Sequence, residues 1–275
     1  PQDAYHMAAV AHLAAIKSSL PFINFFDGFR TSHEIDKIKL MDYDKLKILI
    51  DEKALNNFRE RAMNNEKYNT RGTAQNDDIY FQNTEARNGR YYETVEIVKN
   101  YMEEVNKLTD SNILPFNYYG EKDADSIIIA MGSVCDTIRE TIDYLNSMGN
   151  KYGMVEVHLY RPFSTEYLLS VIPKSVKKIA VLDRTKEIAA SGEPLYLDVV
   201  SALKGKDITI VGGRYGLSSK DTTPAQIKAV FDFLNSKDVH HNFTIGIEDD
   251  VTNLSLNVDN NFIIPNDMTE FLIYG

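Results

Sequence analysis

The hydrophobic pattern of the chain changes its period near residue 110, from one typical of helices to an alternation of strands and helices. Residues 5–18 are rich in Ala, Leu and Met and predict a largely buried helix. Residues 91–108 carry apolar positions at i, i+3 and i+4, which predicts an amphipathic helix. Between these helices we predict a short aromatic strand at 22–26, a charged helical stretch at 42–66 and a long loop at 67–90.

Beyond residue 124 short apolar runs alternate with amphipathic segments. We predict strands at 126–133, 153–160, 177–184 and 207–216, and helices at 134–149, 164–172, 193–205 and 223–236. Four successive strand–helix units predict an α/β fold, an open and mainly parallel sheet with helices on both faces. The polar, Pro- and Gly-bearing stretch 109–124 predicts a domain boundary.

The two ends of the chain are unusual for a natural domain. The sequence opens at Pro1 and closes directly after the apolar run Phe271-Leu272-Ile273, which predicts a strand still in progress. From His240 onward, short β-type runs with polar breaks indicate the start of a third part that is cut short. We therefore expect this sequence to be a piece of a longer polypeptide.

Composition excludes several classes of protein. The 275 residues hold 30 Lys and Arg against 40 Asp and Glu, a formal net charge of −10, which disfavours nucleic-acid binding because phosphate contacts need a basic face. No apolar run approaches the roughly 18–20 residues that span a bilayer, so we expect no membrane insertion. The single cysteine, Cys135, excludes an internal disulfide and a cysteine-ligated metal site within this chain, and fits a reducing cytoplasm.

Four short motifs fall at the predicted carboxyl ends of the strands, where α/β sheets gather their ligands. They are Gly132-Ser133, Arg161-Pro162-Phe163, Asp183-Arg184-Thr185 and the Gly-rich run 212–216. A glycine-containing turn before a helix allows backbone N–H groups to meet an anion. The complete nucleotide-binding patterns GxGxxG and GxxxxGK[ST] are absent from the sequence, so tight turns and interface contacts are the favoured interpretation of the motifs, and small-molecule binding is the alternative.

Isolated reactive residues give little direction. His33 and Glu34 are adjacent on a predicted helix and so do not face one another. We interpret His158 as a core or edge residue, His240-His241 as a solvated linker, and Cys135 as a small buried hydrophobe. The residues alone thus predict the fold and leave the reaction open.

Six strings of residues together resemble the pyruvate:ferredoxin (flavodoxin) oxidoreductase family. The strings are FFDGFRTSHE (25–34), RGTAQNDDIYFQ (71–82), LYRPFS (159–164), VLDRTKE (181–187), GGRYGLSSKDTTPAQIKAVFDFL (212–234) and NFTIGIEDDVT (242–252). They occur in the family's order and together span essentially the whole chain.

The resemblance implies a division into three domains. Residues 1–110 would be the C-terminal part of the family's first domain, which has a thiamine-diphosphate fold. Residues 111–238 would be its second domain, an α/β domain similar to the C-terminal domain of transketolase. Residues 239–275 would open its third domain.

The resemblance also implies an activity, the oxidative decarboxylation of pyruvate with coenzyme A to acetyl-CoA and CO₂, with electrons passed to ferredoxin or flavodoxin. The full-length enzyme would use thiamine diphosphate, Mg²⁺ and 4Fe–4S clusters. The family's pyruvate- and thiamine-contacting residues lie before Pro1, and the Mg²⁺-diphosphate motif is absent here. We therefore expect no catalytic residue, metal ligand or bound cofactor in this segment alone.

One binding role follows from the resemblance, because the family places coenzyme A contacts near the start of its third domain. The candidate residues are Val251, Thr252, Asn253, Leu254 and Ser255. Their backbone N–H and hydroxyl groups would hold a phosphate or the pantetheine amide. An ordinary polar turn after a strand is the alternative.

The expected partners are the rest of the same polypeptide, a second copy in a homodimer, and the electron acceptor. Two other hypotheses stay open at this point. The chain would be a free-standing, non-catalytic α/β interaction protein, or a subunit of a related 2-oxoacid:acceptor oxidoreductase. The apolar run at 271–273 disfavours the free-standing protein.

Overall fold

The computed structural model describes residues 1–68 and 74–265, which group into two compact units. The first unit comprises Pro1–Asn117 with His158–Tyr167, and the second comprises Tyr118–Val157 with the residues from Leu168 onward. The division by contacts thus assigns one short segment of the strand–helix region, His158–Tyr167, to the first unit.

The first unit is helical. Its helices are α1 (Gln2–Ser18), α2 (Arg30–His33), α3 (Tyr43–Ile48), α4 (Glu52–Glu60), α5 (Tyr80–Glu85) and α6 (Asn88–Thr109). The two long helices α1 and α6 form most of its core, in which Leu13, Ala14, Val98 and Met102 are buried. The predicted helices at 5–18 and 91–108 are therefore confirmed.

The predicted aromatic strand at 22–26 is wrong. Residues 20–28 adopt no regular secondary structure, and Ile23, Phe25 and Phe26 are 85%, 63% and 59% exposed. A strand requires a neighbouring strand for its backbone hydrogen bonds, and high β-propensity does not supply one. These side chains therefore lie on the surface of the described chain.

The charged stretch at 42–66 is helical in two pieces. The Asp42 side chain accepts the N–H groups of Asp44 and Lys45 at the start of α3, and the Asp51 side chain accepts that of Ala54 at the start of α4. Each aspartate is an N-cap that starts a helix, which breaks the stretch in two. The predicted loop 67–90 is wrong at 80–85, where α5 forms, and at 88–90, where α6 begins; residues 69–73 lie outside the described residues.

The second unit holds almost all of a six-stranded sheet. Its strands are β1 (Phe116–Gly120), β2 (Ser126–Ala130), β3 (Tyr152–Val157), β4 (Lys178–Asp183), β5 (Thr209–Arg214) and β6 (Phe243–Thr244). The helices that alternate with them are α7 (Val134–Ser147), α8 (Thr165–Val171), α9 (Pro194–Ala202) and α10 (Pro224–Leu234). The first two residues of β1 and the first three of α8 are assigned to the first unit.

The strand order is β1-β3-β2-β4-β5-β6, and the pairs β2–β3, β2–β4, β4–β5 and β5–β6 are parallel. The predicted open, mainly parallel sheet is therefore confirmed, with all four predicted strands and all four helices present. The connector predicted at 109–124 contains an additional strand, β1. After residue 240 the described β-structure is limited to β6 and one bridge, and the run 271–273 lies outside the described residues.

The core of the sheet explains why these segments form strands. All five residues of β2 and all six of β3 are buried, as expected for central strands covered on both faces. Ile128 and Met154 pack with Ile138 of α7 and Phe231 of α10, and the Phe231 ring stacks on Tyr152 at 4.2 Å. β3 and β4 lie on opposite sides of β2, so the order of the parallel strands reverses at β2. In such a sheet, ligands are expected at the carboxyl ends of the strands near this reversal.

No helix within residues 1–68 and 74–265 is long and apolar enough to cross a membrane.

Candidate functional site

The candidate coenzyme A loop, residues 250–255, is organised around the carboxylate of Asp250. One oxygen of this carboxylate accepts the Thr252 N–H at 2.9 Å and the Thr252 hydroxyl at 2.6 Å. The other oxygen accepts the N–H groups of Leu254 at 2.7 Å and Ser255 at 2.6 Å. The loop therefore forms a ring of donors around an acidic side chain of its own, an arrangement otherwise typical of anion sites.

The hydrogen bonds fix the charge of Asp250. The Thr252 hydroxyl, followed by the N–H groups of Ser255 and Thr252, lowers the pKa of Asp250 to about 2. The carboxylate is therefore ionised at neutral pH and keeps three backbone N–H groups occupied. A phosphate at these donors would have to displace Asp250, so the loop as folded does not present them to a ligand.

Two of the candidate residues face outward instead. The Val251 side chain is 93% exposed, and Asn253 is exposed with φ at +58°. Asn tolerates this left-handed conformation better than most residues, and its amide both donates and accepts hydrogen bonds. An exposed apolar side chain beside an exposed amide suits a pantetheine arm better than a phosphate.

The loop is closed at its base by β6. The Thr244 N–H donates to the Leu254 carbonyl at 2.9 Å, and the Leu256 N–H donates to the Thr244 carbonyl at 2.9 Å. The Ser255 hydroxyl accepts the N–H of Ile247 at 3.3 Å. The position of the loop therefore depends on the position of the two-residue strand β6 beside β5.

Arg214, the last residue of β5, connects that strand to the start of β6. Its Nη1 lies 3.2 Å from Glu193 Oε1 and donates to Asn242 Oδ1 at 3.0 Å, while its Nη2 donates to the Asn242 carbonyl at 3.1 Å. The side chains of Arg214 and Glu193 are 10% and 5% exposed. This is a buried ion pair, and Asn242 accepts two further hydrogen bonds from the guanidinium.

A second buried acid, Asp183, lies at the end of β4 and caps the N-terminus of α9. Its two oxygens accept the N–H groups of Leu195 at 3.0 Å and Tyr196 at 3.1 Å. Burial raises the pKa of Asp183 to about 6, the two N–H groups oppose that rise, and the nearby Glu193 adds to it. The predicted Asp183-Arg184-Thr185 motif thus contains a structural helix cap, and Arg184 donates to the Gly216 carbonyl at 2.9 Å.

His241, which we interpreted as a solvated linker residue, is instead built into the sheet edge. Its Nδ1 accepts the Gly212 N–H at 3.1 Å, its Nε2 lies 2.9 Å from the Ser191 carbonyl, and its ring stacks on Tyr196 at 4.1 Å. The signal in the sequence was Gly212-Gly213 inside a strand, because glycine there marks the close approach of another group.

The other strand-end motifs have ordinary structural roles in the described chain. Gly132 has φ at +81°, which a glycine adopts without strain, and the turn leads into α7. The Arg161 guanidinium lies 4.0 Å from the centroid of the Tyr160 ring and donates to the Tyr160 carbonyl. These features provide a tight turn and a local stacking contact.

Three isolated residues are also placed by the structure. His33 lies on the surface, with Nδ1 2.6 Å from the Phe29 carbonyl. His158 is half-buried within the first unit, with Nδ1 3.0 Å from the Leu114 carbonyl. Cys135 is 1% exposed in the core of the α/β unit, so the prediction of a buried hydrophobe is confirmed.

The cofactors implied by the resemblance were compared with the residues present. A 4Fe–4S cluster takes four thiolates, and the chain has one cysteine, buried in the core, so the chain does not fit a cluster. Within the described part of residues 1–103, no three His, Cys, Asp or Glu side chains converge at metal-binding distance.

The two units define a class of protein: a helical segment followed by an open parallel α/β domain whose carboxyl edge carries buried acids and a closed loop. Family comparisons agree with that division. Residues 1–103 match the family described as pyruvate flavodoxin/ferredoxin oxidoreductase, thiamine-diphosphate-binding, and residues 124–227 match pyruvate:ferredoxin oxidoreductase core domain II. The chain belongs to the pyruvate:ferredoxin (flavodoxin) oxidoreductase family.

Individual relatives show how much of such proteins the chain covers. It is 54% identical over 257 residues to the pyruvate-flavodoxin oxidoreductase of Enterobacter agglomerans, and the aligned region covers 93% of this chain and 22% of that protein. It is 51% identical over 259 residues to the pyruvate:ferredoxin oxidoreductase of Moorella thermoacetica, covering 94% and 22%. The chain thus spans about a fifth of the length of these curated relatives.

A solved structure, 2-oxoglutarate:ferredoxin oxidoreductase from Magnetococcus marinus with 2-oxoglutarate, coenzyme A and succinyl-CoA bound, matches 53% of this chain and 23% of its own at 16% identity and a TM-score of 0.31. A likeness at that level supports no conclusion about the fold.

Proposed function

We propose that the chain acts as a segment of an enzyme that oxidises pyruvate in the presence of coenzyme A. The reaction is pyruvate plus coenzyme A giving acetyl-CoA, CO₂, one proton and two electrons, and the electrons pass to ferredoxin or flavodoxin. The observation that carries the proposal is the identity of 51–54% across 93–94% of the chain to relatives named for pyruvate and these acceptors. A related 2-oxoacid as substrate is the second candidate, and these names do not favour it.

We propose that this segment has a structural role in the enzyme and holds none of the reacting groups. Thiamine diphosphate, when bound, supplies the electron sink for decarboxylation. The iron–sulfur clusters and the Mg²⁺ of the complete enzyme take their ligands from other parts of it, since Cys135 alone cannot bind a cluster. The proposed division is a thiamine-diphosphate-fold part at 1–110, a second domain at 111–238 and the start of a third at 239–275, in a cytoplasmic enzyme.

The second unit is proposed to contact coenzyme A through the 250–255 loop, with Val251, Thr252, Asn253, Leu254 and Ser255 as the contact residues. Asp250 occupies the backbone donors of this loop, so its accessible groups are the Val251 side chain and the Asn253 amide. Both suit the pantetheine arm, which alternates methylene groups with amides. We therefore assign the contact to pantetheine rather than to a phosphate.

The first unit is proposed to pack against further polypeptide of the enzyme or against a second copy in a homodimer. The helices α3, α4 and α5 contain no buried residue within the described chain. Large apolar side chains of the same unit are also exposed, among them Phe29 at 77%, Phe81 at 71% and Tyr92 at 72%. Exposed apolar surface of this extent is typical of an interaction face.

The activity is tested on the native protein, isolated from its source with an antibody against residues 212–234. Its intact mass is measured first, followed by the coenzyme A-dependent reduction of ferredoxin and of flavodoxin with pyruvate as the substrate. We expect a mass several-fold above that of 275 residues and activity with pyruvate that 2-oxoglutarate does not support. A native chain of this size without activity would restore the free-standing interaction protein, and preference for another 2-oxoacid would favour the second candidate.

The coenzyme A contact is tested separately on the 275-residue chain by amide NMR. Pantetheine and adenosine 3′,5′-bisphosphate are titrated as separate probes. We expect pantetheine to shift the amide signals of residues 251–255, Asn253→Ala to weaken that effect, and the bisphosphate to leave the signals unchanged. Shifts caused by the bisphosphate alone would contradict the assignment to pantetheine, and the absence of shifts with both probes would exclude a coenzyme A contact in this loop.

A further inference from the structure

The buried ion pair between Arg214 and Glu193 is linked to the 250–255 loop through Asn242 and strand β6. Arg214 is the last residue of β5, and its guanidinium donates hydrogen bonds to both the side-chain and the backbone oxygen of Asn242. Asn242 has φ at +70°, in the left-handed region that Asn adopts more readily than most residues. Its N–H donates to the Gly212 carbonyl at 3.0 Å, so Asn242 is fixed to β5 at three points.

The residues after Asn242 transmit this position to the loop. Phe243 is fully buried and forms β6 with Thr244, in register with Gly213 and Arg214. The backbone of Thr244 then forms the two hydrogen bonds, to Leu254 and from Leu256, that close the base of the loop. A displacement of Asn242 therefore displaces the strand on which the loop is closed.

Glu193, the acidic partner of Arg214, is itself held in place by a second hydrogen bond. Glu193 precedes α9 and is buried; its Oε1 faces Arg214, and its Oε2 accepts the Glu187 N–H at 2.6 Å. Through the guanidinium, the segment between β4 and α9 is therefore bonded to the segment that leads from β5 into β6. Burying two charges is costly, and replacing such a pair by uncharged side chains is often neutral for stability, so stability alone does not account for it.

We propose that Arg214 is a positioning residue for the 250–255 loop. Its planar guanidinium has donors enough, and in the right geometry, to hold Glu193 and both oxygens of Asn242 at once, which a lysine ammonium on a flexible stem does not reproduce. Arg214 thereby determines where β6 lies and how the loop faces its ligand. The link to coenzyme A rests on the proposed function, whereas the positioning itself does not.

The test compares hydrogen exchange in three forms of the 275-residue chain. Arg214→Lys keeps the positive charge opposite Glu193 and removes the planar set of guanidinium donors. The double variant Arg214→Met with Glu193→Gln removes both charges together. The reporters are the Thr244 and Leu256 amides, which close the loop, and the reference is the buried strand β2. We expect exchange at the reporters to rise about tenfold in both variants, the effect of losing one ordinary hydrogen bond, with β2 unchanged.

A matched control removes a different ion pair. Lys99→Met with Glu103→Gln deletes the i,i+4 pair of α6, and it should leave both reporters unchanged. Reporter exchange that is unchanged in the Arg214 variants, or that rises equally at β2, would overturn the proposal. Should the double variant fail to fold, Arg214→Lys alone decides between these outcomes.

Titration with pantetheine separates this inference from the proposed function. Faster exchange at Thr244 and Leu256 with an affinity about tenfold weaker supports both. Faster exchange in a chain that does not bind pantetheine, with or without the substitutions, supports the positioning role and rejects the coenzyme A contact.

Discussion

The phenyl ring of Phe243 occupies the space that a side chain at Gly213 would need. A Cβ at Gly213 would overlap three carbons of this ring, and Phe243 is itself fully buried. The neighbouring Gly212 is similarly tight, because a Cβ there would lie 2.9 Å from both Tyr196 and His241. Glycine at these two positions of β5 therefore leaves the space in which aromatic rings pack against the strand.

Gly213→Ala is expected to destabilise the α/β unit by about 1–3 kcal/mol, since a methyl group is forced into a filled core. Urea unfolding followed by fluorescence or circular dichroism measures this change. Gly89→Ala is the control, because nothing lies within 4 Å of a Cβ at that exposed helical position, and it should be neutral or stabilising by up to about 1 kcal/mol. Equal effects of the two substitutions would contradict this account of β5.

Asp183 should make the stability of the chain depend on pH between about 4 and 7. Burial raises its pKa to about 6, so the folded chain retains a proton that the unfolded chain loses near pH 4. The sign follows from linkage: where the folded state binds more protons, stability falls as pH rises. The free energy of unfolding should therefore lose up to about 3 kcal/mol from this group between pH 4 and pH 7, as 1.36 kcal/mol per pKa unit requires.

Asp183→Asn isolates this contribution. The amide cannot ionise, and its single oxygen accepts only one of the N–H groups of Leu195 and Tyr196, so the variant should be less stable at pH 4. The stability difference between the natural chain and the variant should then shrink as pH rises to 7. A difference that stays constant with pH, measured by urea unfolding at several pH values, would show that Asp183 titrates normally.

The exposed aromatic residues of the first unit should become protected in the full-length protein. Phe29, Phe81 and Tyr92 are each more than 70% exposed in this chain, and we propose that further polypeptide covers them. Peptides spanning 22–29 and 74–92 should exchange hydrogen more slowly in the native full-length protein than in the 275-residue chain. Equal exchange of these peptides in the two proteins, with strand β2 as the internal reference, would leave the exposed face without a covering partner.

The sequence predicted those elements whose side chains decide their structure locally. β2, SIIIA, is apolar after its first residue and is buried throughout, and α10 follows Thr223, which forms a capping box with Gln226. The aromatic run at 22–26 failed because strand formation depends on a partner strand, which local propensity does not reveal. β1, FNYYG, was missed although its aromatic residues favour a strand, because Pro115 precedes it and the stretch around it is polar, as in a connector.

The candidate site was predicted less completely for the same reason. Val251 to Ser255 came from resemblance, and their exposed and bonded groups were visible only in the structure. Arg214 is separated from Glu193 by 21 positions in sequence and from Asn242 by 28, so these hydrogen bonds depend on which strands become neighbours. Only Gly212-Gly213 carried a local signal of that edge.

Asp250→Asn is expected to loosen the 250–255 loop while the sheet stays intact. The carboxylate accepts the N–H groups of Thr252, Leu254 and Ser255, and an amide in its place offers one oxygen and a donor that repels the remaining N–H groups. Amide exchange at these three residues should rise about tenfold or more at pH 7. Because these bonds lower the pKa of Asp250 to about 2, the natural loop should lose them only as pH falls below about 4 towards 2. Asp249→Asn, at the exposed neighbouring position, is the control and should leave the three amides unchanged; similar exchange in both variants would mean that the loop does not depend on the Asp250 carboxylate.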